Sequence, residues 1–137
     1  MKASPLTRGF FAIAALYDGV LGQAFLVVPA TVFETFDLPM GGPAGYVRFP
    51  AAMLIIFAAM LATVAVAPRR NRNLIPFGML LKIAYIGVVG FDWVRLGEMP
   101  TPFIVFAVAD LLFLVGFAAA WNHLAGAEPE GSLATGA

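Results

Sequence analysis

The sequence predicts an all-α integral membrane protein built as a bundle of four transmembrane helices. Hydrophobic residues make up 61% of the chain, charged residues only 12%, and the mean hydropathy is +0.91. A soluble domain has about 25% charged residues, so this chain lacks the polar surface to cover such a core. Four apolar segments reach the length of about 20 residues that crosses a bilayer. None of them alternates apolar with polar residues as the strands of a transmembrane barrel do.

The positions of the prolines support the ends of the predicted spans, which cover residues 9–28, 48–67, 74–95 and 102–123. Proline is tolerated in the first turn of a helix and stops a helix elsewhere. Pro29 follows span 1. Pro50 lies in the first turn of span 2, and Pro68 follows that span. Pro76 lies in the first turn of span 3, and Pro100 and Pro102 lie at the start of span 4.

Span 1 has the position of a signal peptide, with Lys2 and Arg8 as its basic flank. Its apolar run exceeds the roughly 7–15 residues of a signal sequence, and it contains Asp18. We therefore expect a retained first helix.

The connection between spans 1 and 2 leaves two alternatives open. Thr31 and Glu34 have the spacing of a capping box, and Val32, Phe33 and Phe36 would form the apolar side of a short helix on the membrane surface. A plain loop fits the same residues.

The basic residues predict the orientation of the bundle. Cytoplasmic loops carry an excess of lysine and arginine. The sequence "PRRNRN" links spans 2 and 3, whereas the other two connections hold acidic residues with single arginines at their borders. We therefore expect both termini on the cytoplasmic side of the cell's inner (plasma) membrane. The basic residues on that side would be Lys2, Arg8, Arg69, Arg70 and Arg72.

Composition also limits the function. The chain has no cysteine and one histidine, so we expect no metal site. The net charge of zero gives no indication of a nucleic-acid partner. Residues 125–137 are small and polar, which predicts a disordered tail after a transmembrane domain of residues 1–124.

Three charged residues are predicted to lie inside the membrane: Asp18, Lys82 and Asp110. At 1.5 Å per residue, Asp18 and Lys82 lie about 14 Å and about 12 Å from the cytoplasmic side, and Asp110 about 18 Å from it. The three therefore share one central layer. We expect Lys82 to point into the bundle between the two carboxylates.

Leaving these charges unpaired would cost roughly 8–10 kcal/mol on insertion scales. Ion pairing, or hydrogen bonds to Tyr17 or Tyr85, must offset most of that cost. One lysine and two carboxylates leave one negative charge over. Either one aspartate is protonated, or a cation, a proton or a ligand completes the set.

Ionisable residues at this depth indicate a functional site. Tyr85 shares a helix face with Lys82, and several phenylalanines share the face of Asp110 in span 4. The alternative is that the buried ion pairs only fix the helix register. The predicted ligand-binding residues are Asp18, Lys82, Tyr85, Phe106, Asp110 and Phe113.

A second polar cluster is predicted near the outer surface, where span 2 begins and span 3 ends. Arg48 and Asp92 would form an ion pair there. The alternative is that these residues only anchor helix ends, as interfacial aromatic and basic residues commonly do. The cluster comprises Tyr46, Arg48, Asp92, Trp93, Arg95 and Glu98.

Three stretches carry a family resemblance: "YDGVLGQAFLVVPATVFETFDLP", "RRNRNLIPFGMLLKIAYIGVV" and "FAVADLLFLVGFAAAW". On these the chain resembles the small four-helix bacterial membrane proteins called DoxX-like, a resemblance that implies quinone-linked redox chemistry. The lysine expected shortly after the glycine of the first helix is missing, since Gln23 follows Gly22, and this departure argues against an oxidoreductase role. The chain also looks like EXPERA-type sterol-binding proteins in its four helices and buried acids.

These observations leave three functions open. The bundle would bind a hydrophobic lipid-like or quinone-like molecule in an aromatic pocket, with membrane lipids as its surroundings. Alternatively, the alanine-rich span 2 would pack against other membrane subunits or a second copy of the chain. A membrane isomerase or oxidoreductase is the third alternative, for which the sequence offers no cofactor motif.

Overall fold

The computed structural model describes residues 3–126, which form an all-α structure with four helices long and apolar enough to cross a membrane. These helices support a multi-pass membrane protein and correspond to the four predicted spans. The α-helices are α1 (Pro5–Val27), α2 (Pro29–Thr35), α3 (Gly45–Val66), α4 (Ile75–Leu96) and α5 (Thr101–Ala125), and a short 3-10 helix (Arg72–Leu74) precedes α4.

Two helix starts differ from the prediction. The first helix begins at Pro5 rather than at residue 9, because the Ser4 side chain accepts a hydrogen bond from the Thr7 backbone N–H at 3.2 Å and Pro5 suits a first position. The second long helix begins at Gly45, so Pro50 lies inside α3 and not in its first turn. A proline there leaves the Tyr46 carbonyl without its helical donor.

The segment after α1 is a helix, which decides between the two alternatives for this connection. Only Val28 separates α2 from α1. The predicted capping box is wrong, because α2 already begins at Pro29 and Thr31 lies within it. The Thr31 carbonyl instead accepts a hydrogen bond from the Thr35 hydroxyl at 2.7 Å. At the other end of the chain, α5 includes Ala125, and the rest of the predicted disordered tail, residues 127–137, lies outside the described residues.

The four long helices pack as two pairs, α1 with α3 and α4 with α5. Small residues let α1 and α3 approach closely. A Cβ atom at Gly22 would lie 2.7 Å from the Ile55 side chain and 3.0 Å from the Ala51 carbonyl oxygen. Ala51 and Ala58 are buried, so much of the alanine-rich face of α3 is used within the chain, while Ala62 stays exposed.

Three arginines connect the ends of paired helices. Each lies near the start of one helix and donates to a carbonyl in the last turns of its partner, which also shows that the partners are antiparallel. A helix leaves its final carbonyls without intrahelical donors, and its C-terminus favours a positive charge. The hydrogen bonds run from Arg8 Nε to Ala65 O at 3.2 Å, from Arg48 Nε to Leu26 O at 3.2 Å and from Arg72 Nε to Trp121 O at 3.1 Å.

The two ends of the bundle differ. One, which we call the basic end, holds Arg8 and the Arg69–Arg72 connection, and the other, the α2 end, holds α2. Aromatic rings fill the half of the bundle toward the basic end, where Phe11 and Phe117 stack with their centroids 5.2 Å apart. The buried core of this half consists of Phe11, Ala14, Leu61, Val64, Ile75, Phe117 and Leu124.

The outer surface of the bundle is apolar. Side chains such as Leu112, Ile56 and Val88 are more than half exposed along the lengths of their helices. Exposed apolar side chains of this number are costly in water and favourable in lipid. The surface therefore agrees with a bundle surrounded by membrane.

Candidate functional site

The centre of the site is an ion-paired trio contributed by three different helices. Lys82 of α4 places its Nζ atom 2.5 Å from Asp18 Oδ1 of α1 and 3.0 Å from Asp110 Oδ1 of α5. Asp18 and Lys82 are each 1% exposed, and Asp110 is 6% exposed. The structure thus brings together the three charges that the predicted depths placed in one layer. Within the described residues these are the only ion pairs.

Aromatic rings surround the ammonium group on the side of the basic end. Lys82 Nζ lies 5.3 Å from the ring centroid of Tyr17 and 5.4 Å from that of Phe113. These two rings pack against each other with centroids 5.1 Å apart. A cation over an aromatic face gains electrostatic energy, and more when it is removed from water. The rings therefore help to hold the Lys82 ammonium in place.

Some polar atoms of the site have no hydrogen-bond partner among the described residues. Across residues 3–126, Asp18 Oδ2 and the Tyr17 hydroxyl are buried without a hydrogen-bond partner. Asp110 Oδ1 approaches the ammonium closely but is not aligned for a hydrogen bond. Buried polar atoms nearly always have hydrogen-bond partners in proteins. These unpaired atoms therefore indicate that the polar network of the site lacks a hydrogen-bonding group.

A cavity of about 340 Å3 adjoins the trio on the side of the α2 end. Its polar lining includes Asp18, Asp110, Tyr17 and Tyr85, and the rest is almost wholly aliphatic and aromatic. The volume falls in the range of small-molecule sites, about 300–1,000 Å3, and such sites combine apolar walls with a few polar groups. The remaining lining residues are Leu21, Phe25, Phe33, Tyr46, Val47, Pro50, Ala51, Leu54, Leu81, Phe103 and Phe106.

The short helix α2 covers one side of this cavity. Phe33 of α2 lines it and packs edge-on against Phe25 of α1, with ring centroids 6.1 Å apart. Phe36, just after α2, packs edge-on against Phe106 of α5 at 5.9 Å. The apolar face of α2 therefore contacts both helix pairs across the end of the cavity.

The predicted ligand-binding residues divide into two groups. Asp18, Tyr85, Phe106 and Asp110 line the cavity, whereas Lys82 and Phe113 do not. Lys82 stands behind the two carboxylates, and the Phe113 ring belongs to the aromatic cluster toward the basic end, 6.2 Å from Phe117. The role of this set in ligand binding stays a prediction.

Sequence reasoning missed the contribution of α3 and α2 to the cavity. Leu54 and Ala51 of α3, together with Phe33 of α2, form much of its wall. The apolar spacing of Phe33 and Phe36 indicated that one face of this segment needs a partner. It gave no information on which helices that face would cover, because that depends on how the chain returns from α1 to α3.

The Arg48–Asp92 ion pair predicted for the outer polar cluster does not form, since it is not among the ion pairs of residues 3–126. The Arg48 guanidinium instead donates to the Leu26 carbonyl at the end of α1. Arg48 belongs to the α1–α3 pair, and α3 makes little contact with α4, which carries Asp92. Tyr46 lines the cavity instead, while Trp93, Arg95 and Glu98 are exposed.

Comparison with known proteins identifies no family. No protein-family model, no curated protein and no solved structure matches the chain. The resemblance to DoxX-like proteins therefore stays a prediction.

Proposed function

We propose that this chain binds a lipid-like or quinone-like molecule in the cavity between its two helix pairs. The observation that carries the proposal is the cavity itself, which has apolar walls and a polar floor at the Asp18–Lys82–Asp110 trio. An amphipathic molecule would place its polar head at this floor and its apolar body along Phe25, Phe103 and other wall residues. Sites of this composition are typical for small molecules.

The position of the cavity supports uptake from the membrane. Tyr46, at the start of α3, lines the cavity and is 77% exposed, so the cavity reaches the surface of the bundle near the α2 end. A molecule dissolved in one leaflet would meet this opening without crossing the bilayer. With both termini in the cytoplasm of a bacterial cell, as we propose, the opening faces the outer half of the inner membrane.

Native mass spectrometry tests the proposal on protein extracted gently from its own membranes. We expect the 14.5 kDa chain, or a small multiple of it, to carry an additional molecule of a few hundred daltons. Leu54→Trp places a large side chain in the cavity wall and should remove the added mass. Leu21→Trp fills the same cavity from α1 and serves as a second variant.

The matched control is Ile56→Trp, on the same helix as Leu54 but 61% exposed toward the surroundings. It should keep both the added mass and the melting temperature of the parent protein. If both cavity variants fold and retain the added mass in the parental amount, the cavity is not the binding site and the proposal fails.

The same spectrum distinguishes the accessory-subunit alternative. A heavier assembly that contains other polypeptides and carries no added small molecule would support that alternative. The exposed residues Ala59 and Ala62 of α3 would then be the first surface to examine, since Ala51 and Ala58 already pack within the chain.

A further inference from the structure

We propose that the head group of the bound molecule is a protonated amine, so that the ligand is an amphipathic cation. This inference rests on the proposed function and names the chemical class of its ligand. It follows from which polar side chains line the cavity, from the unpaired Asp18 Oδ2 atom and from the charge balance of the trio.

The polar groups at the cavity floor are two carboxylates and the hydroxyls of Tyr17 and Tyr85. Two carboxylates, Asp18 and Asp110, line the cavity, and among the described residues no lysine, arginine or histidine lines it. Asp18 Oδ2 is buried and has no hydrogen-bond partner within residues 3–126. A carboxylate oxygen only accepts hydrogen bonds, so its missing partner is a donor.

The charge balance indicates the same class of ligand. With both aspartates ionised, the two carboxylates and the single ammonium of Lys82 sum to one negative charge. Lys82 Nζ is already directed at Asp18 Oδ1 and Asp110 Oδ1, at 2.5 Å and 3.0 Å. Another cation at the α2 end, Arg48, donates to the Leu26 carbonyl. A protonated amine would supply both the donor and the missing positive charge.

Other head groups fit this floor less well. A quinone carbonyl accepts hydrogen bonds, so it would leave Asp18 Oδ2 without a donor, although the Tyr17 and Tyr85 hydroxyls are able to donate to it. A carboxylate or phosphate head would add negative charge beside two acids. Removing such charges from water without a partner is costly.

Lys82 has a positioning role in this arrangement. It stands behind the carboxylates and does not line the cavity. Its ammonium holds Asp18 Oδ1, which leaves Oδ2 of the same carboxylate for the ligand. The aromatic wall, including Phe25 and Phe106, would surround the apolar body of the amine.

The test compares two probes that share one alkyl chain, dodecylamine and dodecanol. Each is titrated into purified full-length protein, and the bound fraction is measured by native mass spectrometry. We expect dodecylamine to bind at least about tenfold more tightly, because a hydrogen bond from a charged donor to a carboxylate is stronger than one from a neutral hydroxyl. Asp18→Asn should remove most of this preference and leave dodecanol binding unchanged.

The matched control is Asp92→Asn, which removes a carboxylate from α4 outside the cavity lining. It should retain the full preference for the amine. Asp110→Asn provides a second cavity variant in case Asp18→Asn does not fold. Retention of the preference in Asp92→Asn, with its loss in the cavity variants, supports the inference.

Two results would overturn it in distinguishable ways. If both probes bind equally and Leu54→Trp abolishes binding of both, the cavity binds ligands but the head is not an amine. A protonated aspartate that donates to a neutral head would produce this result. If Leu54→Trp leaves the binding of both probes unchanged, the cavity is not the site, and the proposed function fails together with the inference.

Discussion

At the scale of single residues, the buried charges are organised around one cation. Lys82 lies between Asp18 and Asp110, and the three side chains come from three helices. Loss of one member of a buried ion pair leaves an uncompensated charge, which costs more than the intact pair contributes. The stability of the bundle therefore depends on Lys82 more than on any charge at the membrane surface.

Replacing Lys82 with methionine tests this dependence. Lys82→Met leaves two buried carboxylates without their cation, and we expect a loss of about 3–5 kcal/mol in the free energy of unfolding. Unfolding of the purified protein by denaturant measures the change. Arg70→Gln, at an exposed position of the basic end, is the control and should leave the free energy of unfolding nearly unchanged.

A neutral trio provides a further comparison. Asp18→Asn and Asp110→Asn combined with Lys82→Met remove all three charges while nearly preserving the shapes of the side chains. This combination should recover part of the stability lost in Lys82→Met. If Lys82→Met by itself changes neither the stability nor the amount of bound molecule, the electrostatic account of the trio is wrong.

At the scale of secondary-structure elements, the close contact between α1 and α3 depends on glycine. A Cβ at Gly22 would approach the Ala51 backbone oxygen and the Ile55 side chain more closely than van der Waals contact allows, whereas a Cβ at Gly19 would lie 3.5 Å from Ala58 Cβ, an ordinary contact. The two positions differ by less than one turn of the same helix. Substituting each glycine with alanine therefore distinguishes the effect of packing from that of helix propensity.

Alanine substitutions measure this difference. Overpacking costs about 1–3 kcal/mol, and alanine gains about 0.5–1 kcal/mol over glycine within a helix. We expect Gly22→Ala to lose on the order of 1 kcal/mol in the free energy of unfolding and Gly19→Ala to be neutral or slightly stabilising. Equal effects of the two substitutions would contradict the close approach of α1 and α3 at Gly22.

At the scale of the whole molecule, the two helix pairs are joined differently at the two ends. Toward the basic end, the aromatic core includes Phe11 of α1 and Phe117 of α5, which stack across the pairs. At the centre, Lys82 connects α4 to α1. Toward the α2 end, the pairs enclose the cavity and are joined by α2, through the contacts of Phe33 and Phe36. The cavity that Asp18 and Asp110 line therefore lies toward the α2 end.

The orientation of the whole bundle is testable because the chain has no native cysteine. Asn73 near the basic end and Glu98 near the α2 end are both exposed. With the termini in the cytoplasm, a membrane-impermeant maleimide should label Glu98→Cys in intact cells. It should label Asn73→Cys only after the membrane is permeabilised. The reverse pattern would show that the basic end faces outward, against the distribution of arginines and lysines.

The sequence by itself determined the all-α membrane class, the number of long helices and the burial of the three charges. These properties follow from hydropathy over about 20 residues and from the cost of an unpaired charge in a membrane, and both are local to each segment. The helix starts were less accurate at Ser4, which caps α1, and at Pro50, which lies inside α3 and not in its first turn.

Only the tertiary structure decided how these parts form a site. It showed that Arg48 caps α1 instead of pairing with Asp92. It also showed that Phe113 packs in the core while Phe106 lines the cavity. The short helix α2 covers the end of this cavity. The long helices are apolar on all faces. The periodicity of apolar residues therefore does not predict which neighbouring helix a side chain contacts. The neighbours of each residue depend instead on which helices pair and on how closely glycine and alanine let them approach.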